Sequence, residues 1–173
     1  GLLKKNKAHT NQIIEIMKVL VLGAGLVGGP MAIDLAKDGE FEVTSADVNP
    51  EALAKLSAYP GIETVRADLD NPQTIKFLAE GKDLVINAVP GFMGYRTVER
   101  LIECGKNVVD IAFFPEDMFG LDQKAKDNNV TVICDIGVAP GMSNVLIGYG
   151  ATLLETLEKG ITYVGGLPVV RTW

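Results

Sequence analysis

Short apolar runs alternate with longer amphipathic segments along most of the chain. Each run is rich in β-branched residues, which is typical of a strand, and each interval is long enough for one crossover helix. The runs recur roughly every 20 to 24 residues. They begin near Lys18, Phe41, Glu63, Asp83, Asn107 and Val130. The predicted helices cover residues 31–37, 50–58, 72–80, 95–104 and 116–128.

Strands that alternate with helices predict a parallel sheet with right-handed crossovers. Asn49 and Asn71, each followed by a proline, stand where N-cap residues are expected. Six such strands predict an α/β doubly wound parallel sheet, the Rossmann fold. Ligands of these sheets bind beyond the carboxyl ends of the strands, where the strand order reverses.

Three glycines, Gly23, Gly25 and Gly28, directly follow the first predicted strand. The first permits a tight turn, the second lets the backbone approach a pyrophosphate, and the third lets the helix lie close to the sheet. Amide groups and the dipole at the start of that helix favour phosphate charge. The predicted cofactor contacts of this turn are Gly23, Ala24, Gly25, Leu26, Val27 and Gly28. The alternative is a purely steric turn in a protein that binds no nucleotide.

Asp47 follows the second predicted strand, about twenty residues beyond the glycines, where an acceptor for the adenosine ribose is expected. A carboxylate accepts hydrogen bonds from a free 2′-hydroxyl and repels the 2′-phosphate of NADP. No basic residue lies between Asp47 and Lys55 to bind that phosphate. The sequence therefore predicts NAD as the cofactor, with NADP less favoured.

The carboxyl ends of the remaining strands carry further candidates. The two residues after strand three are expected to border the adenine, and the four after strand four to border the nicotinamide. Two aspartates are predicted to end strands five and six. In chain order these candidates are Asp68, Leu69, Asn87, Ala88, Val89, Pro90, Asp110 and Asp135. Each also has a purely structural interpretation, as a turn cap, a partner of backbone groups or the start of a loop.

The chain has 173 residues, 47% hydrophobic and 22% charged, which predicts one complete domain. Its net charge of −6 disfavours nucleic acid and anionic membranes and favours small-molecule partners. Cys104 and Cys134 are expected to act as small hydrophobes without a disulfide, and no metal site is predicted. Residues 136–154 are uncharged but contain glycines and polar residues, so they do not suit a membrane span. We expect a cytoplasmic protein.

The ends of the chain suggest domain boundaries. Residues 1–16 precede Met17 and lack the apolar centre of a signal peptide, so we expect a natural extension or an artificial tail. Residues 17–159 are the predicted dinucleotide-binding domain. Residues 160–168 form another predicted strand, so 160–173 is interpreted as the beginning of a second domain. This strand has the alternatives of pairing at the sheet edge or with another copy.

Three segments carry a resemblance to a known family: 17–26, 84–90, and 135–144 continuing to 163–168. They resemble the saccharopine dehydrogenase family, and within it the lysine 6-dehydrogenase branch. The resemblance implies an NAD- or NADP-dependent enzyme that oxidises a carbon bearing an amino group, or runs the reverse condensation. It also implies an amino-acid substrate and a larger second domain. We expect a homo-oligomer, a dimer, when the protein is full length.

Some relatives have an aspartate where this chain has Ala139, which leaves lysine-like or polyamine-like substrates open beside saccharopine. Oxidation of an amine needs groups that stabilise the developing cation, and Asp110 and Asp135 are the candidate catalytic carboxylates. Arg96 could bind a substrate carboxylate or be a surface charge. Two alternative functions stay open. One is a non-catalytic NAD-binding regulatory module, and the other a carboxynorspermidine-type reductive synthase.

Overall fold

The computed structural model describes residues 16–165, which form one six-stranded parallel sheet flanked by helices. The strands are β1 Met17–Leu22, β2 Phe41–Asp47, β3 Ile62–Arg66, β4 Leu84–Asn87, β5 Asn107–Asp110 and β6 Val132–Ile133. Their order is β3-β2-β1-β4-β5-β6, and all neighbours are parallel. This confirms the predicted doubly wound α/β sheet. The order reverses between β1 and β4, so a ligand is expected beyond the carboxyl ends of these two strands.

The helices follow the predicted crossovers with shifted ends. They are α1 Gly28–Ala36, α2 Pro50–Leu56, α3 Pro72–Ala79, α4 Gly91–Glu103, α5 Asp122–Asp127 and α6 Met142–Thr152. Asn49 and Asn71 are N-caps as predicted, because each side chain accepts a hydrogen bond of 2.9 Å from the N–H two residues on. The predicted helix over 116–128 is interrupted, since a 3₁₀ turn at Met118–Leu121 precedes α5. α6 is not among the predicted helices, because its uncharged sequence has no polar face to mark a period.

Strand β1 lies at the centre of the core. Successive side chains point to opposite faces of the sheet. Val19 and Val21 pack in the cluster beneath α1 and α2, and Leu20 and Leu22 pack in the cluster beneath α3 and α4. All four side chains are fully buried. Both faces of β1 are therefore covered, which explains its continuous apolar sequence.

Apolar side chains remain exposed at the C-terminal part of the described chain. Helix α6 buries none of its residues, and Val145, Leu146 and Tyr149 are 59%, 59% and 63% exposed. Beside α1, Val109 and Ile111 line an open cleft of about 690 Å³. Exposed apolar surface of this kind is typical of regions that contact other protein.

The prediction of a strand over 160–168 is wrong for residues 160–165, which form no regular element. These residues lie beside no strand of the sheet, so their backbone groups have no ladder to join. The rest of that segment, like the residues before Ile16, lies outside the described part of the chain. Within the described part, no helix is long and apolar enough to cross a membrane. Cys104 and Cys134 are free thiols packed against the core, as expected.

Candidate cofactor site

The glycine turn joins β1 to α1, and its three glycines meet different surroundings. Gly23 has a φ of +99°, and a Cβ there would lie 2.5 Å from the carbonyl oxygen of Ala88. A Cβ on Gly28 would lie 2.0 Å from the carbonyl oxygen of Gly23. A Cβ on Gly25 would meet no atom within 4 Å. The chain itself thus requires glycine at 23 and 28, whereas the bare backbone at Gly25 faces open space where a ligand fits.

The start of α1 adjoins this open space. Val27 provides no side-chain cap, and the first turn of α1 contains no acidic residue. Leu26 of the turn is 98% exposed. The positive end of the helix dipole is consequently left for an outside anion, which suits a pyrophosphate. The predicted contacts of the turn remain predictions at the residue level.

Asp47 connects the end of β2 to the glycine turn. Its Oδ2 accepts a 2.7 Å hydrogen bond from the N–H of Ala24, and its Oδ1 accepts one of 2.7 Å from the N–H of Asn49. A carboxylate offers about four acceptor positions, so capacity remains for ribose hydroxyls. The turn and the predicted ribose acceptor therefore form one hydrogen-bonded unit.

Arg66 is a cation at this corner that sequence reasoning missed. It is the last residue of β3 and lies laterally beside Asp47 in the parallel pairing. Its exposed guanidinium donates from Nε to the carbonyl oxygen of Val48 at 3.3 Å. The sequence between Asp47 and Lys55 contains no basic residue, but Arg66 follows further on, in the predicted third strand. The place of Arg66 beside Asp47 could have been predicted from the third strand, because the carboxyl ends of neighbouring parallel strands meet at the same edge of the sheet.

The two residues predicted to border the adenine behave differently. Asp68 is exposed, and its Oδ1 accepts a 3.0 Å hydrogen bond from the N–H of Asp70, which forms a local turn. Leu69 is only 7% exposed and packs in the core with α3 and α4. The side chain of Leu69 therefore belongs to the core and is not accessible to a ligand.

The end of β4 lies against the glycine turn. Asn87 is fully buried, Ala88 supplies the carbonyl that excludes a side chain at position 23, and Val89 is 4% exposed. Pro90 is exposed at the edge, directly before α4. The predicted nicotinamide segment is therefore a close neighbour of the predicted pyrophosphate turn.

Asp110 and Asn87 face each other as lateral partners at the ends of β5 and β4. Both are 0% exposed, and Asn87 Nδ2 donates to Asp110 Oδ1 at 2.6 Å. Burial raises the pKa of Asp110 to about 6, opposed by the Asn87 and Ala112 N–H groups and assisted by the charge of Asp135. A fully buried carboxyl cannot contact a substrate in this conformation, although Asp110 is a predicted catalytic candidate.

Asp135 is exposed near the same edge. It does not end β6 as predicted, because β6 stops at Ile133 and Asp135 lies in the following loop with a φ of +55°. Burial, with the nearby carboxylates of Asp110 and Asp135, raises the pKa of Cys134 to about 11. The Cys134 thiol is therefore neutral. Of the two predicted catalytic carboxylates, only Asp135 is accessible.

Two other residues singled out in the sequence, Arg96 and Ala139, do not belong to this group of site residues. Arg96 is an exposed residue of α4 whose guanidinium lies 3.9 Å from a carboxylate oxygen of Asp70, so its surface-charge interpretation fits its position. Ala139 belongs to a loop folded on itself, in which Gly137 and Gly141 form a bridge before α6. Within residues 16–165, no cluster of His, Cys, Asp or Glu could hold a metal ion.

The reversed strand order, the glycine turn and the acid joined to it define a dinucleotide-binding domain of the doubly wound class. More narrowly, the chain belongs to the family described as the saccharopine dehydrogenase NADP binding domain, which matches residues 19–133. The family resemblance predicted from three sequence segments is confirmed. The lysine 6-dehydrogenase branch within it stays a prediction.

Similar proteins agree with this membership. The chain is 31% identical over 156 residues to mitochondrial alpha-aminoadipic semialdehyde synthase of Mus musculus, covering 87% of this chain and 17% of that protein. It is 30% identical over 158 residues to the saccharopine dehydrogenase [NADP(+), L-glutamate-forming] of Pyricularia oryzae, covering 87% and 34%. The chain thus spans only 17% and 34% of the lengths of these two relatives.

A solved structure shares the fold. The apo saccharopine dehydrogenase (L-Glu forming) from Saccharomyces cerevisiae superposes with a TM-score of 0.70 at 23% identity, over 79% of this chain and 31% of that chain. This similarity supports the fold alone. The predicted class of cofactor, a nicotinamide dinucleotide, is confirmed by the family membership. The family description names NADP, however, whereas Asp47 favours NAD.

Proposed function

We propose that this chain is the cofactor-binding portion of an NAD(P)-dependent oxidoreductase acting on the CH–NH or CH–NH₂ group of an amino acid. The observation that carries the proposal is the glycine turn, open at Gly25 and held by Asp47 at the switch point of the sheet. When bound, the cofactor would accept a hydride from the substrate carbon. The names of the relatives support an amino-acid substrate of the saccharopine or lysine type.

A substitution at Gly25 tests cofactor binding directly. Alanine at this position meets no protein atom within 4 Å, so the fold is expected to tolerate it. The added methyl group would occupy the space of the pyrophosphate, and we expect at least about a tenfold loss of affinity, or 1.4 kcal/mol. Calorimetric titration with NAD⁺ and NADP⁺ measures the change. Gly148→Ala in α6, also without neighbours within 4 Å, is the matched control.

We propose that the ribose corner at Asp47 and Arg66 accepts NADP, the cofactor that the family description names, and not preferentially NAD as predicted from Asp47 alone. A 2′-phosphate there would lie beside the Asp47 carboxylate, and such repulsion disfavours NADP. Arg66 is the nearby cation that favours the opposite outcome, in agreement with the family description. Titration of the unmodified chain with both cofactors tests this, and tighter binding of NAD⁺ would overturn the preference for NADP.

The substrate half of the reaction is proposed for the longer protein. Asp135, the accessible carboxylate of the edge, suits a role in which it pairs with the substrate ammonium and stabilises the cation formed on oxidation. Formation of NADH or NADPH with lysine or saccharopine would support the dehydrogenase. Cofactor consumption with an amine and a carbonyl compound would favour the carboxynorspermidine-type synthase. Binding without any turnover would favour a regulatory module.

Exposed apolar side chains and free thiols bear on assembly and location. We propose a homodimer for the longer protein, since exposed apolar side chains on α6 suit burial against other protein. Light scattering on that protein tests this, and a monomer would contradict it. We also propose the cytoplasm, because the two free thiols suit a reducing compartment.

A further inference from the structure

Two buried oxygen atoms at the junction of β4 and β5 have no hydrogen-bond partner in the described part of the chain. They are Oδ1 of Asn87 and Oδ2 of Asp110. Their side chains are already joined by the 2.6 Å hydrogen bond from Asn87 Nδ2 to Asp110 Oδ1. A buried polar atom without a partner is costly, so a pair that leaves one such atom on each side needs an explanation.

A single proton satisfies both atoms. An ionised carboxylate can only accept, and Asn87 Oδ1 is also an acceptor, so without a proton neither atom can satisfy the other. A protonated carboxyl has a donor on one oxygen and an acceptor on the other, which complements the amide. We propose that at mildly acidic pH Asp110 carries a proton on Oδ2, donates it to Asn87 Oδ1, and so forms with Asn87 a doubly hydrogen-bonded pair that positions the nicotinamide end of the cofactor site.

The surroundings of Asp110 favour the neutral form. Burial has the largest influence and raises the pKa of its carboxyl, as does the nearby charge of Asp135, while the N–H groups of Asn87 and Ala112 lower it only in part. The other titratable group on that side is Cys134, whose own raised pKa keeps it uncharged. From α4, the carbonyl oxygen of Gly94 accepts from Asn87 Nδ2 at 3.5 Å, and this group does not titrate. The groups acting on Asp110 therefore include no cation that would hold it ionised.

The pair of Asn87 and Asp110 adjoins the cofactor site. Its effect on cofactor affinity rests on the function proposed above. Asn87 directly precedes Ala88, whose carbonyl oxygen is within 2.5 Å of the position of a Cβ on Gly23. The carbonyl of Asn87 accepts from the N–H of Ile111 at 3.1 Å, which ties β4 to the segment after β5. Loss of the proton would leave Asn87 Oδ1 and Asp110 Oδ2 as two acceptors without a shared hydrogen next to the cofactor site. Cofactor affinity should then fall as pH rises through the pKa of Asp110.

Carbon-13 NMR of the free chain tests the pair without any cofactor. The side-chain carboxyl signal of Asp110, identified by its absence in Asp110→Asn, should titrate with a midpoint near pH 6 or above, compared with about 3.9 for an ordinary aspartate. A midpoint near the ordinary value would overturn the proposal, because it would mean an ionised carboxylate that is satisfied by water.

Cofactor titration between about pH 5 and pH 8 tests the coupling. The unmodified chain should lose affinity severalfold across this range. Asp110→Asn replaces the acid–amide pair by an amide–amide pair that keeps both hydrogen bonds at every pH, so it should bind more tightly than the unmodified chain at pH 8 and show no such decline. An equal decline in both proteins would overturn the proposed positioning role.

Thr97→Val is the matched control, because it also removes a buried side-chain oxygen that has no hydrogen-bond partner in the described residues. It should keep the pH profile of the unmodified chain, and a flat profile would overturn the assignment to Asp110. The two proposals fail differently. Absence of cofactor binding with a high Asp110 midpoint would contradict the proposed function and leave the pair intact. Binding with an ordinary midpoint would contradict the pair alone.

Discussion

At the scale of single residues, Asp47 illustrates how one side chain serves the fold and the ligand together. Its two oxygens hold the N–H groups of Ala24 and Asn49, and lone pairs remain for a ribose. The sequence predicted the ribose contact from spacing. The bond to the glycine turn required the structure, because it joins groups on two different strand ends.

We expect Asp47→Ala to weaken NAD⁺ binding about tenfold or more, since it removes both the ribose acceptor and the bond that holds the turn. NADP⁺ should lose less, because a repulsive charge is removed at the same time. Calorimetry on both cofactors measures the ratio. Glu42→Ala, an exposed carboxylate near the other end of β2, is the control. Unchanged affinities in Asp47→Ala would remove the residue from the site.

The buried carboxyl of Asp110 should make stability depend on pH. Its folded pKa of about 6 lies above that of an unfolded aspartate, about 3.9, so its favourable contribution is complete below pH 4 and lost as pH rises to 6. Relative to Asp110→Asn, the unmodified chain should lose about 3 kcal/mol over this window. Urea unfolding of both proteins from pH 4 to pH 8 measures the difference, and parallel profiles would contradict it.

At the scale of elements, α2 and α3, the two helices that begin with a proline after an asparagine N-cap, were the most predictable. Asn71 satisfies the N–H of Gln73 at the start of α3, a local interaction that any fold would retain. The ends of α4 and α5 depended on neighbours instead. α4 starts at Gly91, where a Cβ would lie 2.1 Å from the carbonyl oxygen of Phe113, a contact far away in sequence.

Asn71→Ala should lower the free energy of unfolding by about 1 kcal/mol, because the N–H of Gln73 loses its acceptor. Asn71→Ser should restore most of the loss, since serine also caps helices well. Urea denaturation with an unchanged slope gives the values. Equal destabilisation by both substitutions would show that the side chain does not act as a cap.

At the scale of the whole molecule, the elements around the central sheet and α6 differ in how far their apolar side chains are buried. Leu101 is fully buried in the core beneath α4, whereas Leu146 of α6 is 59% exposed despite its equal hydrophobicity. Sequence pattern does not separate the two leucines. Their difference comes from which surfaces the crossovers place against the sheet.

Leu101→Ala should therefore cost about 2 to 5 kcal/mol, by loss of buried surface and creation of a cavity. Leu146→Gln should change the stability of this chain by less than about 0.5 kcal/mol. Thermal and urea unfolding of the two variants provide the comparison. A large loss in Leu146→Gln would show that α6 packs against the domain more closely than its exposure indicates.

The sequence by itself determined the strands of the parallel sheet, most of the crossover helices, the glycine turn and the position of Asp47, because each rests on local periodicity, backbone sterics or fixed spacing. Only the tertiary structure decided that Leu69 and Asp110 are buried, that Arg66 stands beside Asp47, and that residues 160–165 form no strand. These features depend on lateral neighbours from distant parts of the chain. Burial and pairing are properties of the assembled sheet, and no short stretch of sequence contains them.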